Sequence, residues 1–420
     1  MRIATLLNRM HPLKGFVYGP VDFDANGKGE KPDVIKVKLR EDRRMRGRCG
    51  KCGKPGPCHD HLPERAFRFV PLWGIPVLLY YAARRIRCPD CGVKTERLEW
   101  AMGKSPVTLA LSCFLARWAE EMSWDRVARM FTVSWHIVSD SVGYVVSWGM
   151  AHRDVSGVTA IGVDELAYGS GQKYLTLVYQ LDHGNRRLLW IGLNRTKETL
   201  GRFFTLFGKE FSEGLRFVCS DMWRPYLDVI AECTPKALNI LDRFHVMKHL
   251  GEAIDETRRE EFRRLKAEKR EGCLVHSRWC FLKRPENLTG KQELRLRELL
   301  TMNLRSVKAY LMKEEFQQFW EYTYAASAGR FLSSWCRMVM KSRIEPMKKK
   351  ARMLRSHYDL LLNWFKAGKE YNNGITEGLN NKSRTRIKLA YGYRTTKTLM
   401  IALFHQLGNL PRPDLCHRFV

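Results

Sequence analysis

Three acidic residues in different local settings could together hold divalent metal ions. Asp164 and Asp221 each end an apolar run, at residues 157–164 and 215–221, whereas Glu377 lies in a polar segment with helical spacing. Mg²⁺ prefers oxygen ligands, and two ions about 4 Å apart can stabilise both the attacking and the leaving oxygen of a phosphoryl transfer. The sequence therefore predicts a two-metal site built from two strand ends and one helix.

The charge of the chain indicates the class of substrate. Its 73 Lys and Arg against 44 Asp and Glu give a formal net charge of +29, accompanied by 12 Trp and 15 Tyr. This excess favours a polyanion partner over merely solvated basic faces, so nucleic acid is the predicted substrate. The sequence has neither a long apolar run nor a signal-peptide pattern, so we expect no membrane partner and a cytoplasmic location.

Polar neighbours of the three acids leave alternatives open. Glu165 follows Asp164, but adjacent residues on a strand point to opposite faces, so only Asp164 is expected to face the site. Asp242 and His245 follow the next predicted strand and could orient the site, contact DNA from its edge or brace the following helix. Any single Asp at a strand end is more often a turn former or helix cap, so the prediction depends on the set.

Two Cys-x-x-Cys pairs predict one structural Zn²⁺ site in the amino-terminal part of the chain. Four thiolates suit the tetrahedral preference of zinc, and the pairing favours metal over disulfides or a redox-active dithiol. Strand-like stretches at residues 67–70 and 77–87 predict a hairpin that returns the chain to the ion. Cys58, His59 and His61 stay open as competing ligands. The predicted ligands are Cys49, Cys52, Cys88 and Cys91.

Helical periodicity follows the cysteine-rich part. Ser123 is a plausible N-cap for a short helix, residues 132–134 form a turn, and a further helix begins at Trp135. A helix, a tight turn and a second helix at this spacing are typical of a helix-turn-helix. The alternative is an ordinary three-helix packing unit. In the first case the start of the last helix would approach the major groove of DNA. The candidate contacts are Ser134, His136 and Ser139.

From residue 157 the predicted order is strand, strand, strand, helix, strand, helix, strand, helix. That order is typical of a ribonuclease H-like domain, in which the first and fourth strands are adjacent. The adjacency would bring Asp164 and Asp221 together although they are far apart in the sequence. The region between His245 and Tyr371 is largely helical and too long for a loop, so it predicts an inserted helical domain before Glu377.

Basic segments supply further candidate DNA contacts. The run Lys348, Lys349, Lys350 favours contact with phosphate groups, which carries little sequence information. A helix around Glu377 would place that carboxylate on one face with two amides and a cation, at positions i+3, i+4 and i+7. These three residues are Asn380, Asn381 and Arg384.

The predicted fold class is a multidomain α+β and α/β chain, in which a zinc-binding β module and a helix-turn-helix precede a ribonuclease H-like mixed sheet with a helical insertion. Its length of 420 residues is ample for several packed cores. The predicted parts are strands and zinc module at 1–100, helix-turn-helix at 104–152, catalytic core at 155–250, helical insertion at 251–368, and the remaining core with the Glu helix and tail at 369–420.

Taken together, these blocks resemble those of bacterial insertion-sequence transposases of the ISL3 family over most of the chain. The extra residues 58–61 depart from the pattern of a compact zinc ribbon, so the identity of the zinc ligands is not fully settled by the resemblance. The blocks are the four Cys-x-x-Cys cysteines, the helix-turn-helix at 123–148, Ile161-Gly-Val-Asp-Glu165, Ser220-Asp-Met-Trp-Arg-Pro-Tyr226, and residues 241–249 and 373–393.

The resemblance implies a DDE-type transposase in which Asp164, Asp221 and Glu377 bind two Mg²⁺ or Mn²⁺ ions. It also implies binding to terminal inverted repeats in double-stranded DNA, cleavage of the element ends and their joining to target DNA. Since two ends must be handled together, a homodimer or higher oligomer in the bacterial cytoplasm, associated with the nucleoid, is expected. The alternatives are a nuclease or resolvase on the same fold that only hydrolyses, and a non-catalytic DNA-binding regulator.

Overall fold

The computed structural model describes residues 2–24, 33–169, 173–269, 271–371 and 374–415. It is a mixed structure of sheets and many helices, as the predicted class requires. Its residues separate into two compact units, Met1–Asp154 with Ile387–Val420, and Val155–Arg386. The finer five-part division stays a prediction, and Asn373, at the start of one of the sequence blocks, lies outside the described residues.

The first unit begins with a helix and two sheets. Their bounds are α1 (Ile3–Met10), β1 (Phe16–Asp24), β2 (Val34–Glu41), β3 (Cys58–His61), β4 (Arg65–Leu72), β5 (Ile75–Tyr81), β6 (Arg84–Cys88) and β7 (Gly92–Thr95). One sheet has the order β1-β2-β5-β4 and the other β3-β6-β7. In β2 the apolar Ile35, Val37 and Leu39 are buried and alternate with polar residues. The predicted hairpin is confirmed for β4 and β5, which pair antiparallel, but the predicted stretch 77–87 is divided between β5 and β6, which lie in different sheets.

Three helices complete this stretch: α2 (Leu109–Glu121), α3 (Trp124–Met130) and α4 (Trp135–His152). The predicted cap is confirmed, because the Ser123 hydroxyl accepts from the Arg126 backbone N–H at 3.3 Å. The turn between α3 and α4 is held by a side chain from strand β4. Arg68 on β4 donates to the carbonyl oxygens of Phe131 and Thr132 at 2.9 and 2.6 Å, which satisfies groups left free at the end of α3.

The second unit contains a five-stranded sheet. Its elements are β8 (Ala160–Ala167), β9 (Tyr174–Gln180), β10 (Arg187–Leu193), α5 (Lys197–Gly214), β11 (Phe217–Ser220), α6 (Arg224–Cys233) and β12 (Leu238–Leu241). The strand order is β10-β9-β8-β11-β12. Strand β11 pairs in parallel with β8 and β12, whereas β9 pairs antiparallel with both β8 and β10. The first and fourth strands are therefore neighbours, as predicted. Val163, Val218 and Phe203 contribute to the apolar core beneath α5 and α6.

A long helical segment follows the sheet. Its helices are α7 (Arg243–Ala267), α8 (Arg278–Leu282), α9 (Gly290–Leu300), α10 (Arg305–Gln317), α11 (Ala325–Lys341), α12 (Glu345–Ser356) and α13 (Tyr358–Lys366). Trp320 and Trp335 are both 2% exposed and pack with Phe316, so they belong to a core rather than to a base-stacking surface. Glu261 is also buried and accepts from the backbone N–H groups of Arg305 and Ser306, which caps α10.

The chain ends with α14 (Gly374–Leu389) and α15 (Thr396–Leu407). The residues from Ile387 onward belong to the first unit, and the predicted grouping of residues 369–420 as the remaining core with the Glu helix and tail stays a prediction. The segment after α15 approaches α4 so closely that a Cβ on Gly149 would lie 2.7 Å from Leu410. Arg412 forms an ion pair of 2.9 Å with Glu120 on α2. None of the described helices is long and apolar enough to span a membrane.

Candidate active site and cysteine cluster

Three aspartates lie just beyond the point where the parallel pairing of three neighbouring strands ends. Asp221 directly follows β11 and Asp242 directly follows β12, whereas Asp164, predicted to end its strand, lies within β8 two residues after the last residue that pairs with β11. Because β8 and β11 pair in parallel, with Cys219 opposite Gly162, the first two aspartates share one edge of the sheet. The carboxyl ends of parallel strands are where open α/β sheets bind ligands.

The Asp164 carboxylate is held by two defined hydrogen bonds. One oxygen accepts from the Glu165 backbone N–H and the other from the Asn380 side-chain amide, both at 2.7 Å. Asn380 is 1% exposed, and its own carbonyl oxygen accepts from the Tyr179 hydroxyl at 2.6 Å. This corrects the predicted DNA contact at Asn380, because its amide is buried and links α14 to β8 and β9.

Helix α14 also packs closely on β8 next to Glu377. A Cβ on Gly162 would lie 2.4 Å from the Thr376 hydroxyl oxygen, so only glycine leaves room for the helix there. Thr376 and Asn380 therefore attach the helix to the sheet on either side of the half-buried Glu377. Within the described ranges, however, the three predicted acids are not gathered with their ligand oxygens all within 4.8 Å of one another.

A guanidinium lies between two of the carboxylates. Arg195 forms an ion pair with Glu165 through Nε, and its Nη2 lies 3.6 Å from Oδ2 of Asp221. Its charged carbon lies 4.3 Å from the ring centre of Trp223, which adds a cation–π contact. Strand alternation predicted that Glu165 faces away from the site, yet its long side chain reaches Asp221 through Arg195.

Burial dominates the electrostatics of this edge. The pKa of Asp164 is raised to about 6 and that of Glu165 to about 7, mainly by burial and with a contribution from the nearby Asp221. His245 donates from Nδ1 to a carboxylate oxygen of Asp242 at 2.5 Å, and this hydrogen bond raises the pKa of His245. A buried carboxylate such as that of Asp164 is a hard oxygen donor whose negative charge a nearby cation would stabilise, so this site fits divalent ions of the Mg²⁺ class.

The predicted zinc ligands do come together. The sulfur atoms of Cys49, Cys52, Cys88 and Cys91 all lie within 4.8 Å of one another, and those of Cys52 and Cys88 are 3.4 Å apart. Backbone N–H groups of Cys52 and Lys51 lower the pKa of Cys49 to about 7, which favours the thiolate that a metal requires. Four converging thiolates with an N–H-stabilised member fit a structural zinc ion.

The loops that carry these cysteines are shaped for close approach. Gly53 and Gly92 directly follow the two Cys-x-x-Cys pairs and have φ angles of 75° and 72°, a conformation that favours glycine. An ion pair of 2.6 Å between Lys54 and Asp90 joins the two loops. The competing candidates are engaged elsewhere: the Cys58 thiol donates to the Asp60 carbonyl oxygen, His59 contacts Arg87, and His61 lies 3.9 Å from Glu41.

Comparison with known proteins identifies the family. The family model described as "Transposase", of the DDE type and the ISL3 family, matches residues 161–403, more than half of the chain. The chain belongs to the ISL3 family of transposases. It is similar to the transposase for insertion sequence element IS1001 of Bordetella parapertussis, at 29% identity over 349 residues, covering 82% of this chain and 85% of that protein. It is also similar to the transposase for IS1557 of Mycobacterium tuberculosis, at 26% identity over 426 residues, covering 95% and 94% of the two chains.

In this ISL3-family member the predicted DNA contacts differ in accessibility. Ser134 and His136 are exposed at the start of α4, whereas Ser139 is half-buried. Asn381 and Arg384 are exposed and hydrogen-bonded to each other at 2.9 Å. The basic run on α12 is already paired: Lys348 lies 3.7 Å from Glu345, Lys349 lies 3.8 Å from Glu256, and Lys350 lies 3.1 Å from Glu252. Their contact with phosphate stays a prediction, and it would have to displace these ion pairs.

Sequence reasoning missed Arg195 altogether. The residue stands between the end of β10 and Thr196, which caps α5. A basic residue between a strand and a helix cap is too common to mark a site. The signal appears only once the sheet order places Arg195 beside Glu165 and Asp221.

The raised pKa of Asp164 gives this transposase a testable pH dependence. Without metal, the folded chain holds a proton on this carboxyl more tightly than the unfolded chain, so its contribution to stability is largest below its ordinary pKa and is lost as the pH rises through about 6. Asp164→Asn cannot titrate. We expect the unfolding free energy of the variant relative to wild type to increase from about pH 4 to pH 7 in urea titrations with EDTA. A difference that is constant across this range would contradict the assignment.

Proposed function

We propose that the chain is a DDE transposase that binds the terminal inverted repeats of its insertion sequence, cleaves the element ends and joins them to target DNA. The observation that carries the proposal is the parallel pairing of β8 with β11, which supports Asp164 and Asp221 acting together beside the helix of Glu377. Membership of a transposase family supplies the reaction class.

The proposal extends to the modules around the site. The strand order β10-β9-β8-β11-β12 supports a ribonuclease H-like core, and the helices from α7 to α13 then form its insertion before Glu377. The α3–α4 pair supports a helix-turn-helix whose exposed Ser134 and His136 approach the major groove. The cysteine cluster would hold one zinc ion next to it in the chain.

In this mechanism Asp164, Asp221 and Glu377 would hold two Mg²⁺ or Mn²⁺ ions, and these would supply positive charge for activating the attacking oxygen and stabilising the departing one. Asn380 keeps the Asp164 carboxylate in one orientation, and Arg195 balances the charge of Glu165 beside Asp221. Water attack leaves a 3′-hydroxyl at the element end. That hydroxyl then attacks a target phosphodiester, forming one P–O bond as another breaks, with no covalent enzyme intermediate.

The test is a reaction on DNA from the element's own end. We expect both nicked and joined products when that duplex and a target plasmid are mixed with the chain and Mg²⁺, and neither product with EDTA. Nicked products without joined ones would identify a nuclease or resolvase, and binding without either product would identify a regulator. Because two ends are joined, we expect the active complex to be a homodimer or larger, which sedimentation with end DNA would measure.

Asn380→Ala separates the positioning role from DNA contact. Partners that orient a metal ligand typically contribute 10- to 100-fold to activity or metal affinity, so we expect cleavage to fall by about that factor with end binding unchanged. Asn381→Ala is the matched comparison, since Asn381 is exposed at the next position of the same helix and its loss is expected to weaken end binding rather than cleavage of bound DNA. Equal cleavage by both variants would remove the role assigned to Asn380.

A further inference from the structure

The turn between α14 and α15 holds a tyrosine in an unusual position. The Tyr391 N–H donates to the Lys388 carbonyl at 3.0 Å and the Gly392 N–H to the Ile387 carbonyl at 3.1 Å, which forms a Schellman cap. Tyr391 occupies the left-handed position of that cap with φ of 52°, where glycine is the usual residue. Its side chain is 100% exposed, so no packing offsets the backbone strain.

Ring contacts connect this turn to the start of α4 within the first unit. The Tyr393 ring lies 5.9 Å from that of Trp124, and Trp124 lies 5.7 Å from Trp135, the first residue of α4. Trp135 in turn contacts the exposed His136 at 5.6 Å. The turn is therefore close to the end of α4 that is proposed to approach DNA.

The charge around the turn favours a polyanion over a protein surface. From Gly378 to Pro413 the sequence contains seven Lys and Arg residues and no acidic residue. Lys388, Arg394 and Lys397 are exposed within or next to the turn. An isolated aromatic ring among cations is the combination that stacks on bases while the cations contact phosphates.

We propose that residues 388–397, the Tyr391 turn, form a second DNA-binding element beside the start of α4. Tyr391 stacks on a base of duplex DNA that is accessible at a deformable step or at a frayed end. Lys388, Arg394 and Lys397 contact the backbone phosphates. This inference rests on the proposed DNA-binding function and adds to it a contact surface outside the helix-turn-helix.

Tyr391→Gly tests the turn without endangering the fold, because glycine is favoured at this position of the cap. We expect the thermal midpoint to stay equal or to rise, while affinity for duplex DNA falls roughly tenfold, the effect of removing one base-stacking interaction. Tyr391→Phe keeps the ring and should bind like wild type. Replacing Lys388, Arg394 and Lys397 by glutamine should reduce the slope of log affinity against log salt concentration by roughly one for each phosphate group that is no longer neutralised.

The measurement is fluorescence anisotropy of the full chain on two duplexes, one from the element's end and one scrambled. Tyr324→Ala is the matched control, since Tyr324 is another exposed tyrosine, at 74%, but lies in the second unit. Unchanged affinity of Tyr391→Gly for both duplexes would overturn the proposal. Altered sedimentation of the variant with unchanged DNA affinity would also overturn it, because it would indicate a contact between chains. Equal wild-type binding to both duplexes would instead refute end recognition, and a loss on Tyr391→Gly would still support the turn.

Discussion

Asp164→Asn is expected to reduce DNA cleavage and strand transfer by roughly a thousandfold or more, because a lost metal carboxylate removes about 4 kcal/mol of transition-state stabilisation. The side chain keeps its shape, and its carbonyl oxygen can still accept from Asn380. The fold and the binding of end DNA should therefore persist. The effect is expected on the chemical step because Asp164 shares the sheet edge with Asp221 and is proposed to bind metal ions rather than to hold the DNA.

The reaction is followed with labelled end DNA in Mg²⁺ and, separately, by gel shift of the same duplex in EDTA. Asp228→Asn is the matched control: Asp228 is in the same unit but is partly exposed and paired with Arg224 on the surface of α6. We expect the control to cleave like wild type. Cleavage by Asp164→Asn at the wild-type rate would exclude this residue as a metal ligand.

The second large effect is expected from Cys88→Ser, which should lower the zinc content from about one ion per chain to nearly none. Cys88 is 3% exposed and its sulfur lies 3.4 Å from that of Cys52, so a serine there would leave the cluster with only three thiolates. Structural zinc contributes about 10–16 kcal/mol of apparent binding energy in small domains, which makes local unfolding of the loops and weaker DNA binding the expected result.

Cys58→Ser provides the comparison, because Cys58 is an exposed thiol on the same small sheet whose sulfur is outside the cluster. Zinc is measured by elemental analysis of the purified chains, and loop unfolding by limited proteolysis. We expect Cys58→Ser to retain its zinc and its resistance to protease. Loss of zinc from Cys58→Ser, or retention by Cys88→Ser, would overturn the assigned ligand set.

Local sequence patterns predicted much of the architecture. Ser123 caps a helix where the sequence predicted it, and the hairpin of β4 and β5 lies between the two cysteine pairs. The cysteine assembly followed from spacing because four identical ligands have few other arrangements. The adjacency of β8 and β11 followed from the order of elements, since sheets of this connectivity have few alternatives.

The rest depended on contacts between residues far apart in the chain. Nothing local distinguishes Asn380 from Asn381, yet one is buried against Asp164 and the other is exposed. Lys348 and its neighbours form a basic run in sequence, but acids on α7 and α12 pair with them in the fold. Strand alternation also failed to anticipate that Arg195 would connect Glu165 with Asp221.

The division of the first unit between the two ends of the chain has a consequence for protein synthesis. Helices α2 to α4 leave the ribosome early, but the segment whose Leu410 packs against Gly149 is made only after residues 155–386. Domains generally fold in the order of their synthesis, whereas here the unit that is begun first is completed last. We therefore expect prematurely terminated chains to lack an intact first unit, so that such fragments compete poorly with the full-length protein for element ends.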